Sequence, residues 1–146
     1  GAYKSIENLN DKLNEVNREN RRLEEIISNY EIKEMIENAQ KINNISVIVK
    51  TYENKTMNYI NKIANKISER DDMVALFALT NNDKLNLLFA CSKNLEQLDM
   101  NNLLKDSIKL VDGKGGGSKV LAQGGGKNNG NLDSLFDYVK MKLKSN

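Results

Sequence analysis

Two runs of three glycines, separated by six residues, constrain this 146-residue chain more than any other feature. They lie between Gly113 and Gly130, a stretch that holds eight of the nine glycines in the chain. Because glycine has no Cβ, it reaches backbone angles closed to other residues, and it lets another backbone or a phosphate approach closely. Successive N–H groups in such turns can form an anion-binding concavity. A flexible linker is the competing interpretation, since Gly-rich stretches are commonly linkers.

Three observations favour an ordered element of a domain over a linker. Residues 120–122 (Val-Leu-Ala) are an apolar segment between the two runs, and an amphipathic helix follows the stretch directly. Lys114, Lys119 and Lys127 add positive charge. Neither a P-loop nor a dinucleotide-binding fingerprint fits these residues. We therefore expect the stretch 113–130 to be an ordered loop of the core, with residues 120–122 at least partly buried.

Residues 115–127, Gly-Gly-Gly-Ser-Lys-Val-Leu-Ala-Gln-Gly-Gly-Gly-Lys, resemble the glycine motif of the DHHA1 domain that closes alanyl-tRNA synthetases. The glycines, Ala122, Gln123 and Lys127 stand as they do in that family. Many members carry Arg-Pro or Ser-Pro after the first run, whereas this chain has Ser118-Lys119 and contains no proline. The order of elements extends the resemblance over the chain from about residue 9.

Composition excludes several kinds of site. The chain has no histidine, which removes the usual general base, the usual metal ligand and Ser-His or Cys-His nucleophile pairs. Cys91 is the single cysteine, so neither an intramolecular disulfide nor a cysteine metal cluster can form, and we interpret it as a small core side chain. No apolar run is long enough to span a membrane and no signal peptide is present, so we expect a cytoplasmic protein.

Residues 1–43 are predicted to form a helical arm. Apolar residues alternate spacings of three and four, which is a heptad seam with a polar residue at one a position. The seam consists of Ile6, Leu9, Leu13, Val16, Asn20, Leu23, Ile27 and Tyr30. Such a narrow seam favours a partner helix, although a single amphipathic helix on its own domain stays an alternative. The capping box over residues 28–31 predicts a break there and a second helix to about residue 41, arranged as a hairpin or a bend.

Residues 44–146 are predicted to form the globular domain. β-branched and apolar runs predict strands at 45–52, 73–80 and 84–91, the last two joined as a hairpin. Amphipathic segments predict helices at 54–67, at 99–111 with Asp99 as its cap, and at 131–144 with Asn131 as its cap. The expected fold is an α/β domain with a small mixed sheet packed with helices, DHHA1-like, preceded by the coiled-coil-like arm. Ser92-Lys93-Asn94-Leu95 resembles the Ser-Lys-Asp-Leu of the family at this point.

The charge is unevenly distributed along the chain. Residues 1–43 carry seven basic and nine acidic residues, a net charge of −2, whereas residues 44–146 carry fifteen and eleven, a net charge of +4. This mildly basic balance is typical of a domain that contacts phosphates. Aromatic residues are only 5% of the chain and Arg70 is the one arginine after residue 43, so we expect recognition of backbone and shape more than of base sequence.

The resemblance implies a tRNA-binding and assembly module of an alanine–tRNA ligase. It implies that catalysis, with ATP, Mg and Zn, belongs to domains outside this piece. The absence of histidine and of a metal-ligand cluster predicts that the piece itself has no catalytic residues, cofactor or metal. The expected partners are tRNA, the other domains of the parent synthetase and a second copy of the arm, with no membrane. The expected tRNA and phosphate contacts are Lys93, Lys114, Gly115, Gly116, Gly117, Ser118, Lys119, Gln123, Gly124, Gly125, Gly126 and Lys127.

Two other functions remain open from the sequence. DHHA1 domains also close DHH-type phosphoesterases, where the glycine motif holds substrate phosphates beside a metal site. The carboxylate and histidine motifs of that catalytic half are missing from these 146 residues. The third possibility is a coiled-coil interaction protein that binds no nucleic acid, and a failure to bind RNA at low salt would favour it.

Overall fold

The computed structural model describes residues 2–145, with side chains from residue 14 onward. Its contacts divide the chain into two compact units, Gly1–Glu34 and Met35–Asn146. Helix α1 begins in the first unit and runs without interruption over Ala2–Glu37, 36 residues in all. The helical character of the arm is therefore confirmed, whereas its pairing with a second helix stays a prediction.

The predicted helix break at residues 28–31 is wrong, and so is a separate second helix to residue 41. Ser28 and Asn29 are ordinary interior residues of α1. Each costs less than about 0.7 kcal/mol relative to alanine in a helix, and neither glycine nor proline occurs between residues 2 and 37 to stop it. The capping pattern matters only where a helix begins, and good helix formers on both sides let α1 continue through these residues. The segment 40–42 forms a strand instead.

Five of the eight predicted seam residues have described side chains. Val16, Leu23, Ile27 and Tyr30 are 55%, 46%, 61% and 73% exposed, and Asn20 lies among them. The seam residues Ile6, Leu9 and Leu13 lie outside the described side chains. The described part of α1 thus presents an exposed apolar stripe.

The second unit is built on a mixed sheet that has six strands within the described residues, in the order β1–β2–β3–β4–β6–β5. The strands are β1 (Gln40–Ile42), β2 (Ile45–Glu53), β3 (Met73–Asn81), β4 (Lys84–Cys91), β5 (Lys114–Gly117) and β6 (Leu121–Lys127). The helices are α2 (Met57–Ser68), α3 (Met100–Ser107), a short 3₁₀ helix (Ile108–Val111) and α4 (Leu132–Ser145). Among the described strands, β2 and β3 pair in parallel and are joined by α2, and the other neighbouring strands pair antiparallel.

The predicted α/β class with a small mixed sheet is confirmed. Strand β4 has the predicted bounds, β2 and β3 each extend one residue further, and the β3–β4 hairpin forms. Asp99 caps α3 by accepting a hydrogen bond from the Asn102 N–H at 3.1 Å. Asn131 precedes α4, and its carbonyl oxygen accepts from the Leu135 N–H at 2.9 Å.

The central strands of the sheet are covered on both faces, and alternation along each strand decides which side chains go to which face. On one face, Leu76, Leu87 and Phe89 join residues of α3 and α4 in a continuous buried core. On the other face, Phe77 and Leu88 are buried with the apolar side of α2, which includes Ile60. We call these the α3 face and the α2 face.

The glycine stretch is not the loop that the sequence predicted. Residues 114–117 and 121–127 are strands, paired antiparallel with each other, and β6 also pairs with β4 along its whole length. Glycine lowers the strand propensity of an isolated segment. Here the pairing with β4 outweighs that propensity. The register of this pairing runs from Ala90 opposite Leu121 to Lys84 opposite Lys127.

Candidate nucleic-acid interface

Strands β5 and β6 form a glycine hairpin in which the two backbones lie unusually close. A Cβ placed on Gly115 would stand 2.5 Å from the Gly124 Cα and 2.6 Å from the Gln123 carbonyl oxygen. A Cβ on Gly117 would stand 2.7 Å from the Ala122 Cα. Real side chains do not tolerate such distances, so these positions require glycine whatever binds nearby.

The hydrogen bonds explain why the clashes recur at alternate residues. The Gly117 N–H donates to Asn101 Oδ1 at 3.0 Å, while the Ser118 N–H donates to the Leu121 carbonyl at 2.8 Å. Gly117 and Gly115 therefore occupy the non-hydrogen-bonded positions of the hairpin, where facing Cα atoms are about 1 Å closer than at the bonded positions. Close packing of the two strands is therefore enough to explain why glycine occurs at these alternate positions, without any bound ligand.

The prediction that this stretch is an ordered part of the core is confirmed. Ala122 is 1% exposed and Val120 packs against the buried cluster, while Leu121 is half-buried. The Met100 N–H donates to the Lys119 carbonyl at 2.9 Å, and the Cys91 N–H donates to the Val120 carbonyl at 3.0 Å. A flexible linker would have none of these contacts.

The four lysines predicted from the sequence are all exposed, and they surround the hairpin without forming one cluster. Lys119 lies in the turn between β5 and β6, and Lys93 follows β4, which pairs with β6 at that end. Lys114 begins β5 and Lys127 ends β6, at the opposite end. A seven-residue strand spans about 20 Å, so the positive charges mark out both ends of one elongated surface.

The remaining predicted residues divide between surface and structural positions. Gln123 and Ser118 are exposed, and the Ser118 hydroxyl accepts from the Leu121 N–H at 3.2 Å, which closes the hairpin turn. Gly116 and Gly125 differ from the other glycines of the motif. A Cβ there would have a side-chain oxygen as its nearest neighbour, Asn101 Oδ1 at 3.0 Å and Asn86 Oδ1 at 3.3 Å respectively, and no backbone atom closer than 3.7 Å.

The segment Ser92-Lys93-Asn94-Leu95 holds the start of β3 in place. The buried Ser92 hydroxyl accepts from the Met73 N–H at 3.0 Å, and Asn94 Oδ1 accepts from the Asp72 N–H at 3.1 Å. Asp72 has a positive φ of 60°, so these bonds fix a turn that needs support. The polar pattern noticed in the sequence therefore has a structural role, and it leaves Lys93 exposed beside it.

Cys91 lies in the core, as predicted. It is 2% exposed, and burial, with the Asp99 carboxylate as the second cause, raises the pKa of its thiol to about 11. A thiol with this pKa stays protonated near neutral pH and is a poor nucleophile. Within residues 14–145, no group of three or more His, Cys, Asp or Glu side chains is placed to hold a metal ion.

Sequence reasoning missed the residues that frame the hairpin. Lys84 is the register partner of Lys127, and Asn86 is the register partner of Gly125. On the other side, the Lys105 side chain lies over Gly116, with Cε 3.4 Å from where a Cβ would stand. These neighbours follow from strand register and helix placement, for which the sequence carried no local signal.

Comparison with known proteins agrees with this geometry. Residues 44–145 match the family model described as the DHHA1 domain. This chain belongs to the DHHA1 family. Among curated proteins, it is 36% identical over 103 residues to an alanine–tRNA ligase of Methylacidiphilum infernorum, covering 70% of this chain and 11% of that protein. It is 30% identical over 142 residues to the alanine–tRNA ligase of Listeria innocua, covering 95% of this chain and 16% of that protein.

Solved structures share the DHHA1 fold. The C-Ala domain from Aquifex aeolicus alanyl-tRNA synthetase superimposes with a TM-score of 0.69 at 21% identity, covering 73% of this chain and 97% of that domain. RecJ from Thermus thermophilus, in complex with Mn²⁺, superimposes with a TM-score of 0.62 at 15% identity, covering 90% of this chain and 18% of RecJ. The chain thus spans about a sixth or less of the curated relatives named above. In the part of the chain that the structure describes, no helix is long and apolar enough to cross a bilayer.

Proposed function

We propose that this DHHA1 chain is a tRNA-binding module of an alanine–tRNA ligase and that it has no catalytic role of its own. The observation that carries the proposal is the glycine hairpin, an ordered edge of the sheet with exposed lysines at both ends. The named curated relatives are alanine–tRNA ligases, which supports tRNA as the nucleic acid. The net charge of +4 over residues 44–146 supports attraction of a polyanion.

The composition supports recognition of the sugar–phosphate backbone. Aromatic side chains for base stacking are few, and Arg70 is the one arginine of the globular part, so lysines are the main phosphate ligands available. Lysine contacts a phosphate as a point charge and reads little sequence. The proposed complex is therefore weak, sensitive to salt and tolerant of tRNA sequence.

The proposal is tested by replacing Lys114, Lys119 and Lys127 together with alanine. We expect weaker binding to every tRNA tested and a flatter dependence of affinity on salt, because fewer condensed counterions are released. Exposed lysines contribute little to folding, so the urea unfolding midpoint should stay near that of the parent. Fluorescence anisotropy with a labelled tRNA measures both effects. Unchanged affinity and salt slope would show that tRNA contacts another surface, such as that of Lys62 and Lys66 on α2 with Lys55 just before the helix.

We also propose that α1 assembles two copies of the chain through its heptad seam. The exposed Val16, Leu23, Ile27 and Tyr30 support this, because a stripe of this kind is typically covered by a partner helix. Replacing both Leu13 and Leu23 with aspartate should lower the sedimentation coefficient and weaken the helical circular dichroism signal. If sedimentation and dichroism stay the same, the seam is not an assembly surface.

A further inference from the structure

We propose that the tRNA contacts the α2 face of the glycine hairpin, along a strip formed by Lys84, Asn86, Gln123, Gly125 and Lys127. We call these five residues the polar strip. The inference rests on the proposed tRNA-binding function and adds to it one face of the sheet and two ligands, Lys84 and Asn86. The chemistry that the strip fits is a phosphodiester together with the sugar or base next to it.

Alternation along β4 and β6 places the strip on one face. Leu85, Leu87 and Phe89 of β4 are part of the core under α3 and α4, so Lys84 and Asn86 point to the α2 face. On β6, Ala122 is in the same core, and a Cβ on Gly124 would meet Ile108 Cδ1. Gln123, Gly125 and Lys127 therefore point to the α2 face as well.

This part of the α2 face is not covered by the helix. Lys84, Gln123 and Lys127 are exposed, and Asn86 is half-buried. The apolar part of the same face, represented by Phe77 and Leu88, is fully buried. The change from apolar to polar side chains coincides with the end of the cover that α2 provides, so the strip forms an open platform beside the helix.

The first observation that points to an anion is the pairing of Lys84 with Lys127, two positively charged side chains on neighbouring strands. They are direct register partners on neighbouring strands, so their Cβ atoms lie about 5 Å apart. Like charges placed directly opposite each other destabilise a sheet. Neither lysine forms an ion pair within the residues that the structure describes. A phosphate between the two ammonium groups would convert this repulsion into two favourable contacts.

Asn86, Gln123 and Gly125 supply the second observation. The amides of Asn86 and Gln123 make no side-chain hydrogen bond to another described residue. Asn86 faces Gly125 across the strands, and because the glycine has no side chain, Asn86 Oδ1 lies over it, 3.3 Å from where a Cβ would stand. A carboxamide both donates and accepts hydrogen bonds, so it can pair with a ribose hydroxyl or with a base edge. A nucleotide whose phosphate lies between the lysines reaches these amides with its sugar or base.

The test compares three single variants of the full 146-residue chain in tRNA binding by fluorescence anisotropy at two salt concentrations. Lys84→Gln should weaken binding about fivefold at the lower salt and reduce the salt slope by about 1, because one phosphate contact is lost. Asn86→Ala should weaken binding about threefold with an unchanged salt slope, because the lost contact is neutral. Lys105→Gln is the matched control, since it removes the same charge from α3, where the Lys105 side chain lies beside Gly116 of β5.

A second readout separates binding from folding. Because Lys84→Gln removes a repulsion, the free variant should unfold at the same urea concentration as the parent or a higher one. Weaker binding without loss of stability supports the strip. If Lys105→Gln weakens binding and Lys84→Gln does not, tRNA contacts α3 and the strip is wrong, while the proposed function stands. If the parent itself does not bind tRNA at the lower salt, the proposed function fails.

Discussion

Replacing Gly115 with alanine should destabilise the domain far more than replacing Gly125. At Gly115 the new methyl group would stand 2.5 Å from the Gly124 Cα and 2.6 Å from the Gln123 carbonyl oxygen, both of them backbone atoms. A normal carbon contact needs about 3.5 Å or more, so β5 would have to move by about 1 Å. Overpacking costs about 1–3 kcal/mol, and a clash with two backbone atoms belongs at the upper end of this range, about 3 kcal/mol. Alanine regains about 0.5–1 kcal/mol of backbone entropy, which leaves a net loss of about 2 kcal/mol.

Gly125→Ala is the matched control on the facing strand. Its Cβ would stand 3.3 Å from Asn86 Oδ1, an atom that moves by rotation of a side chain, and 3.7 Å from the Leu85 carbonyl oxygen. The entropic gain offsets this mild contact, so stability should change by less than about 0.5 kcal/mol. Urea unfolding measures both variants, and with a typical m-value a loss of 2 kcal/mol lowers the midpoint by about 1 M. Equal midpoints for the two variants would refute the close packing of β5 on β6.

Three further outcomes follow from burial and hydrogen bonding. Ala122→Asp should lower the free energy of unfolding by about 3 kcal/mol or more, because it buries an unpaired charge. Leu121→Asp should lower it less, because that side chain is half-buried, and urea midpoints rank the two variants. Cys91 should resist a thiol reagent until the protein unfolds. The pKa of the native thiol is about 11, against 9.0 for an ordinary thiol, so its contribution to stability is complete below pH 9 and declines as the pH rises to 11. Urea midpoints of the parent and of Cys91→Ala, compared across this pH range, measure the decline. Asn43→Ala should lower the midpoint slightly, because Asn43 Nδ2 donates to the last carbonyls of α4, including that of Lys144 at 2.9 Å.

Hydrophobic pattern was enough to predict β2, β3 and β4, the three strands at the centre of the sheet. Strands β3 and β4 are buried on both faces, so each contains a continuous apolar run, one beginning at Met73 and the other ending at Cys91. The change from apolar to polar residues at the end of such a run marks the end of the strand. The segment 40–42 was missed because a three-residue strand carries no periodicity. Its formation depends on pairing with β2, which is a tertiary interaction.

The glycine hairpin shows the limit of sequence reasoning more clearly. Glycine has a low intrinsic preference for strands, so a run of three predicts a loop. The decisive fact is the distance between two backbones, and the sequence does not contain that distance. The same limit applies to Lys84 and Asn86, which join Lys127 and Gly125 only through the register of β4 on β6. The exposed lysines themselves were predictable, because their charge and position near the glycines were visible in the sequence.

The salt dependence of tRNA binding by the unmodified chain tests the central claim most directly. If lysines around the glycine hairpin bind phosphates, the logarithm of the association constant should fall linearly with the logarithm of the salt concentration. Three or four neutralised phosphates give a slope of about −3. Anisotropy titrations with labelled tRNA at four or more salt concentrations provide this slope. Binding that is absent at the lowest salt, or that does not change with salt, would contradict the account.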